Sequence, residues 1–259
     1  MPELPDVEGF RRVLAEHAVD ARVRGVDVTD TGVLRGTTPA ALDRALAGQR
    51  FTEPRRHGKW LLAGTGGPTV VMHFGMTGSL LWCAGDEPRH PHDRVIFRLD
   101  RGELRFRDSR KLQGIRLAEN DDAVDRLLAD TGPDALSIGR GEFDALLTGA
   151  RRRIKALLTD QSALAGLGNL LADELLWRVG VHPARPAGEL SEDERARLYD
   201  EMRRVLRAAV RAGRVPPREG WLTGVRDERD APCPRCGGPL ERTRTAGRST
   251  VWCPRCQPR

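Results

Sequence analysis

The sequence lacks several features that define large classes of proteins. No stretch approaches the roughly 18 consecutive apolar residues of a membrane-spanning helix. The opening residues, MPELPDVEG, are acidic and contain no apolar segment of the kind found in secretory signals. Internal repeats and low-complexity tracts are also missing. We therefore expect a cytoplasmic protein with no membrane partner.

Lysine is scarce in this chain. Only three of the 43 basic residues are lysines, namely Lys59, Lys111 and Lys155. A lysine can release its proton near neutral pH in a suitable environment, whereas an arginine effectively cannot. Each remaining lysine is therefore a candidate for a role that needs proton transfer.

What the chain does contain is typical of a folded protein with about two domains. It has 259 residues, of which 39% are hydrophobic and 31% charged, so general disorder is excluded. The formal net charge is +6, and six arginines but only one acid lie between Cys233 and Arg259. Positive charge concentrated in so short a segment indicates a polyanionic partner, with nucleic acid as the first candidate.

Four of the five cysteines lie in this basic tail with the spacing C-x2-C-x16-C-x2-C: Cys233, Cys236, Cys253 and Cys256. Two close pairs of thiolates match a tetrahedral Zn2+ site. Two disulfides are the alternative, and the expected reducing compartment favours zinc. Because the tail is too short to build a core, the metal would hold it together. Cys83 lies in an apolar segment and is expected to be an inert core thiol.

Hydrophobic periodicity divides the chain into a strand-rich part and a helical part. A helix is predicted over 5–18 and a short one over 39–47. Strands are predicted over 22–28, 50–54, 60–63, 69–73, 79–83, 95–99, 103–107 and 114–117. A helix followed by a hinge is predicted over 119–135, further helices over 141–147, 154–158, 169–179 and 191–212, and a linker over 213–231.

These elements predict an α+β protein with three domains. Residues 1–130 would form an antiparallel β-sandwich with a flanking helix. Residues 131–228 would form a helical domain, and residues 229–259 a zinc ribbon.

The N-terminus carries a possible nucleophile. If Met1 is removed, Pro2 presents a free secondary amine, and a free α-amine titrates near ~8. Such an amine can attack an aldehydic sugar carbon and form an iminium that drives elimination. Glu3 beside it could shuttle a proton. An ordinary capping role for Pro2 is the alternative interpretation.

Seven motifs resemble those of one protein family, in the same order, over residues 1–257. They are MPELPDVEGFRR, RRHGKWLL, MHFGMTGSL, HDRV, RDSRKLQG, DQSALAGLGNLLADELLWRVGVHP and CPRCGGPLERTRTAGRSTVWCPRCQ. The sequence thus resembles the formamidopyrimidine-DNA glycosylase / endonuclease VIII family. The sixth motif resembles that family's helix-two-turn-helix, and the seventh resembles its zinc finger.

The resemblance implies a bifunctional DNA glycosylase and AP lyase of base excision repair. It would excise oxidised or ring-opened bases through a Schiff base, followed by β-elimination or β,δ-elimination. Pro2 would attack C1′ of the damaged nucleotide, and Glu3 would donate the proton that helps to expel the base. Lys59 would hold the phosphate and sugar and assist β-elimination; its alternative is a surface strand lysine. Arg248 would clamp the phosphates and assist δ-elimination; its alternative is one more finger arginine.

The resemblance also implies a set of DNA-binding residues: Met76, His92, Arg110, Leu112, Arg151 and Asn169. Met76 would be a wedge filling the space of the extruded base, or else a core residue. Arg110 would face the orphaned partner base, and Asn169 would bind phosphate with the turn at 166–168, or simply cap a helix. His92 and Arg151 would contact DNA, or else be solvated surface. The expected partner is damaged double-stranded DNA, bound by a bacterial, nucleoid-associated monomer.

Three positions depart from the family pattern. Leu112 stands where an aromatic wedge is expected, and Asp6 stands where glutamate is usual. Residues 213–231 leave little room for the loop that closes over 8-oxoguanine in enzymes specific for that base. This shortness predicts a preference for ring-opened purines, hydantoins, oxidised pyrimidines or abasic sites.

Two other classes of protein remain as alternatives. A non-catalytic damaged-DNA or abasic-site binding protein would share the scaffold but would have no evident need for Pro2, Glu3, Lys59 and Arg248 together. A zinc-ribbon RNA-binding protein would explain the tail but not the first 180 or so residues.

Overall fold

The computed structural model describes residues 1–85, 87–216, 218–245 and 247–259. The chain forms two compact units, residues 1–2 with 6–130 and residues 3–5 with 131–259. The predicted linker includes Pro217 and the predicted finger turn includes Ala246, and both residues lie outside the described part. Among the described residues, no helix has the length and apolarity to cross a bilayer.

The first unit contains two four-stranded antiparallel sheets, with strand orders β1-β6-β7-β5 and β2-β3-β4-β8. The strands are β1 (Val23–Val28), β2 (Arg55–His57), β3 (Trp60–Gly64), β4 (Thr69–His73), β5 (Ser79–Cys83), β6 (Asp93–Leu99), β7 (Gly102–Arg107) and β8 (Gly114–Ala118). The helices of this part of the chain are α1 (Leu4–His17), α2 (Pro39–Leu46) and α3 (Asp121–Leu128).

Alternating apolar residues of both sheets meet in one core. Val7 and Leu14 of α1 join Phe97 and Phe106 there, and all four are fully buried. Burial of such aliphatic and aromatic side chains provides the main driving force for this packing. The predicted sandwich with a flanking helix is therefore confirmed, and Cys83 is a buried free thiol as expected.

One prediction in this unit was wrong. Residues 50–54 form no strand, because only Arg50 and Phe51 make isolated bridges and Pro54 has no N–H to donate to a ladder. The helix predicted within 119–135 is confirmed as α3, and it begins at Asp121 because the Asn120 side chain accepts a bond from the Ala123 N–H.

The second unit contains α4 (Arg140–Leu147), α5 (Ile154–Leu158), α6 (Asn169–Val179), α7 (Glu192–Ala212) and α8 (Leu222–Val225), followed by the hairpin β9 (Glu241–Thr245) and β10 (Arg248–Trp252). Ser191 and Glu194 form a capping box at the start of α7. Gly180 ends α6 in a left-handed conformation with φ of 77°. The predicted domain boundary at residue 228 stays a prediction.

The segment 213–231 is not a plain linker. It contains α8, and the Arg178 guanidinium lies 4.5 Å from the centre of the Trp221 ring. The Glu174 carboxylate accepts a bond of 2.9 Å from the Thr223 N–H. These contacts hold the segment against α6, which local composition did not reveal.

Candidate active site

Lys59 lies in the turn between β2 and β3. His57 pairs with Trp60 across that hairpin, so Gly58 and Lys59 make the turn, and Gly58 has a φ of 55°. Such a backbone favours glycine. Lys59 is only 7% exposed, which does not match the alternative of a lysine on the solvated surface of a strand.

His73 is a residue of this unit that sequence analysis did not single out. Its ring lies edge-on to Trp60 at 4.6 Å, and its Nδ1 accepts a bond of 3.0 Å from the Gly75 N–H. Burial, and then the positive charges of Lys59 and Arg116, lower the pKa of His73 to about 4. The imidazole is therefore neutral at working pH, with its proton on Nε2. The sequence signal that could have identified His73 is its position in the MHFGMTGSL motif, three residues before Met76.

Two neighbouring loops present the predicted wedge residues. Met76 is 39% exposed and Leu112 is 50% exposed, so Met76 is not a core residue. The Thr77 hydroxyl donates a 2.5 Å bond to Asp108 Oδ1. The Arg110 N–H contacts the same oxygen at 3.0 Å. Asp108 therefore joins the two loops.

The other predicted DNA contacts of this unit are at least partly exposed. Arg110 presents its side chain to solvent. His92 is half-buried, and its Nδ1 lies 3.0 Å from Arg94 Nη2. Lys111 pairs with Asp30 at 2.7 Å, and this bond lowers the pKa of Asp30.

In the second unit, Glu3 caps the N-terminus of α6. Its carboxylate accepts bonds from three N–H groups: Gly168 at 2.7 Å, Leu170 at 2.8 Å and Leu171 at 3.3 Å. The first N–H groups of a helix lack partners within the helix, and its N-terminus favours negative charge. Glu3 is fully buried, so this cradle fixes its position.

The close approach of Glu3 explains the glycine-rich turn. A Cβ on Gly168 would lie 2.3 Å from Glu3 Cδ, and one on Gly166 would lie 2.5 Å from Leu4 Cδ1. One expectation is corrected here. Asn169 does not cap α6, since it is the first helical residue and its Nδ2 donates to Ser249 Oγ at 3.2 Å. The N–H groups of residues 168, 170 and 171 bind Glu3, and the phosphate contact of Asn169 stays a prediction.

Arg248 begins β10 and is exposed. Its Nη1 donates a 2.7 Å bond to Thr159 Oγ1, directly after α5. Arg151 lies before α5 and is exposed.

The four tail cysteines form one cluster. All four Sγ atoms lie within 4.8 Å of one another, with 3.8 Å between those of Cys233 and Cys256 and 3.5 Å between those of Cys236 and Cys253. A tetrahedral zinc with Zn–S bonds of about 2.3 Å requires sulfurs about 3.8 Å apart. Trp177 Nε1 donates to Cys233 Sγ at 3.3 Å, as outer partners of metal ligands do. The site fits one zinc ion.

Family models match nearly the whole chain. The N-terminal domain of formamidopyrimidine-DNA glycosylase matches residues 1–115, and its H2TH domain matches residues 132–217. The zinc finger found in FPG and IleRS matches residues 231–259.

Curated relatives and solved structures agree with these models. The chain is 39% identical to a formamidopyrimidine-DNA glycosylase of Symbiobacterium thermophilum, covering 100% of this chain and 90% of the relative. It is 38% identical to that of Geotalea uraniireducens, with coverages of 99% and 100%. The Lactococcus lactis Fpg bound to N7-Benzyl-Fapy-dG DNA superposes with a TM-score of 0.89 at 28% identity, with full coverage of both chains. The same enzyme with abasic-site DNA also gives 0.89 at 28% identity, covering 99% of this chain and 100% of that one.

Paired sheets, an H2TH helical region and a four-cysteine finger together define a DNA glycosylase of the H2TH class. This chain belongs to the formamidopyrimidine-DNA glycosylase family. The predicted family, fold class, single structural zinc and enzyme class, a DNA glycosylase with AP-lyase activity, are thereby confirmed.

Proposed function

We propose that this protein excises oxidised or ring-opened bases from double-stranded DNA by covalent catalysis at Pro2. The observation that carries the proposal is the buried carboxylate of Glu3. It is fixed by three N–H groups of α6 and directly follows Pro2 in the chain. The cradle fixes this carboxylate beside Pro2 in the chain, and a proton-transfer group must be held in place.

The chemistry begins at the secondary amine of Pro2, after Met1 is removed. Its nitrogen bonds to C1′ of the damaged nucleotide as the bond from C1′ to the base breaks, and the base leaves with a proton. Glu3 takes up the proton of the Pro2 amine and passes it to the ring oxygen as the sugar opens, which leaves an iminium between Pro2 and C1′, while water protonates the departing base. Loss of a C2′ proton then expels the 3′-phosphate, and a second elimination expels the 5′-phosphate.

The remaining site residues support these eliminations. Lys59 holds the phosphate and sugar and moves a proton during β-elimination. The neutral His73 beside it has an Nε2–H that can donate to a phosphate oxygen. Arg248 offers a fork of donors to the phosphates that flank the lesion and assists δ-elimination.

The exposed loops open the duplex. Met76 and Leu112 fill the space that the extruded base leaves, which offsets an unstacking cost of a few kcal/mol. Arg110 faces the orphaned base, and His92, Arg151 and Asn169 contact the DNA backbone.

The packing of 213–231 supports the proposed lesion preference. Residues of α6 hold Trp221, Thr223 and the guanidinium of Arg226, which leaves less of the segment to cover a base. Ring-opened purines, hydantoins, oxidised pyrimidines and abasic sites are the proposed substrates. A gel assay over a panel of lesions tests this, and excision of 8-oxoguanine as fast as formamidopyrimidines contradicts it.

Borohydride trapping on abasic DNA tests the function itself. The wild-type protein should form a covalent adduct, and Pro2→Gly should not. Tight binding without an adduct would favour the alternative, a non-catalytic damage-binding protein. The proposed setting is a monomer in the bacterial cytoplasm, associated with the nucleoid when bound to DNA.

A further inference from the structure

The second unit contains a cluster of three buried charged side chains that are not among the proposed catalytic and DNA-binding residues: Lys155 on α5, Asp173 on α6 and Arg226 directly after α8. Each is between 1% and 5% exposed. Lys155 Nζ lies 2.6 Å from Asp173 Oδ1. Arg226 donates to Asp173 Oδ2 through both Nε at 3.0 Å and Nη2 at 2.9 Å. Asp173 is therefore shared by two cations from two other segments.

This cluster also binds three consecutive residues of β10. The Ser249 carbonyl accepts from Lys155 Nζ at 2.8 Å and from Arg226 Nη2 at 3.3 Å. Lys155 Nζ also donates to Thr250 Oγ1 at 2.8 Å. The Val251 N–H donates to Asp173 Oδ2 at 3.1 Å. The backbone that directly follows Arg248 is thus fixed to helices α5 and α6.

The side chain of Arg248 is held at the C-terminal end of α5. Its guanidinium donates to Thr159 Oγ1, and that hydroxyl donates to the Lys155 carbonyl at 2.9 Å. The main chain beside Arg248 therefore takes its position from the cluster, and its head group takes its position from the C-terminal end of α5.

Stability alone does not explain these charges. Taking ions out of water is costly, and a well-packed apolar trio of similar volume is often as stable or more so. An ionic cluster fixes directions and distances that apolar packing leaves loose. Here the groups that it fixes are residues of β10.

We propose that Asp173, with Lys155 and Arg226, is a positioning centre that sets the finger hairpin on α6 and thereby places Arg248 at the phosphate beside the lesion. This inference rests on the role proposed above for Arg248. The three are positioning residues, since they act through Arg248.

The test uses full-length, zinc-loaded protein on duplex DNA with one abasic site. We expect Asp173→Asn to lower the ratio of δ-product to β-product by about tenfold, the effect of one weakened charge-assisted bond. The rate of borohydride-trapped adduct should change far less. Arg248→Ala should lower the ratio as well, and the double variant should be no worse than Arg248→Ala, because coupled residues are not additive.

Glu174→Gln is the matched control. Glu174 is the next residue of α6, is fully buried and pairs with Arg178 at 2.6 Å. Its bonds hold Thr223 and none of the residues 248–251. Its product ratio should stay that of wild type even if its melting temperature falls.

Arg226→Lys keeps the positive charge but loses the two-donor contact with Asp173. This variant tests the inference if Asp173→Asn does not fold. A wild-type product ratio in the folded, zinc-loaded variants would overturn the inference, as would equal losses of both products. If the wild-type protein itself gives no adduct, the proposed function fails instead.

Discussion

At the scale of single residues, Gly168 shows that a side chain distant in sequence, that of Glu3, can decide which residue types fit at a position. Its φ is −122°, a value that any residue adopts. Glycine is needed there because Glu3 occupies the space of a Cβ. The same contact explains why the side-chain cap expected at Asn169 is absent, since the carboxylate of Glu3 already caps α6.

Gly168→Ala should therefore displace Glu3 and disable catalysis. A Cβ would lie 2.3 Å from Glu3 Cδ, so the carboxyl group would have to move by about 1 Å, and a misplacement of about 1 Å can cost about 100-fold in rate. Single-turnover excision and borohydride trapping measure the effect. Gly139→Ala is the matched control, because Gly139 also precedes a helix of this unit and has no atom within 4 Å of its virtual Cβ. Equal rates in the two variants would contradict the positioning role of Gly168.

His73 should make stability depend on pH. Its pKa falls from the ordinary 6.5 to about 4 in the fold, so in this range the unfolded chain binds a proton that the folded protein does not. The free energy of unfolding should thus decrease as pH falls from 6.5 toward 4, by about 1.4 kcal/mol per pH unit from this group. Urea unfolding at about pH 7 and about pH 5 measures it. His73→Phe should lose this part of the slope, and an unchanged slope would refute the assignment.

At the scale of elements, the two wedge loops behave as one unit because Asp108 joins them. Asp108 is fully buried, and among the described residues its Oδ2 has no hydrogen-bond partner. The bonds from Thr77 and Arg110 to Oδ1 are therefore important for keeping this carboxylate in place. Sequence motifs named each loop, but only the fold shows that they are joined.

Thr77→Val should weaken both stability and base extrusion. Loss of the hydroxyl deprives a buried carboxylate of a donor, which should cost about 1–3 kcal/mol. Met76→Ala should slow extrusion without a comparable cost, because Met76 is 39% exposed. Urea unfolding and the fluorescence of a purine analogue at the lesion report the two effects. Full stability in Thr77→Val would show that the bond between the loops is dispensable.

At the scale of the whole molecule, the apolar cores of the described residues depend on metal to different degrees. The cores of the sheets and of the helices contain no zinc ligand, whereas the core of the finger includes Cys233 and Cys253 beside Trp177, Leu222 and Val251. The finger should therefore depend on zinc far more than the rest does.

Chelation of zinc should unfold the finger and leave most of the helix and strand content. Without zinc, the Cys233 sulfur that Trp177 contacts is no longer fixed, and the hairpin that carries Arg248 loses its support. The loss of δ-elimination should therefore be the first change in activity. Zinc release, tryptophan fluorescence and far-UV circular dichroism follow these changes. Complete loss of helical signal on chelation would contradict the independence of the cores.

The sequence by itself determined the elements and the zinc site. Periodicity located most strands, the helices α5 and α6 and the capping box of α7, and cysteine spacing identified the metal ligands, because each depends on residues close together in the chain. The strand expected at 50–54 failed because sheet pairing, not local propensity, decides an edge.

Only the tertiary structure decided what holds the chemical groups in place. Glu3 meets the N-terminus of α6 from the far end of the chain, and Asp173 gathers Lys155, Arg226 and β10. Those contacts join residues that no local pattern links. Burying these charges is costly unless their partners converge on them, and that convergence requires the completed fold.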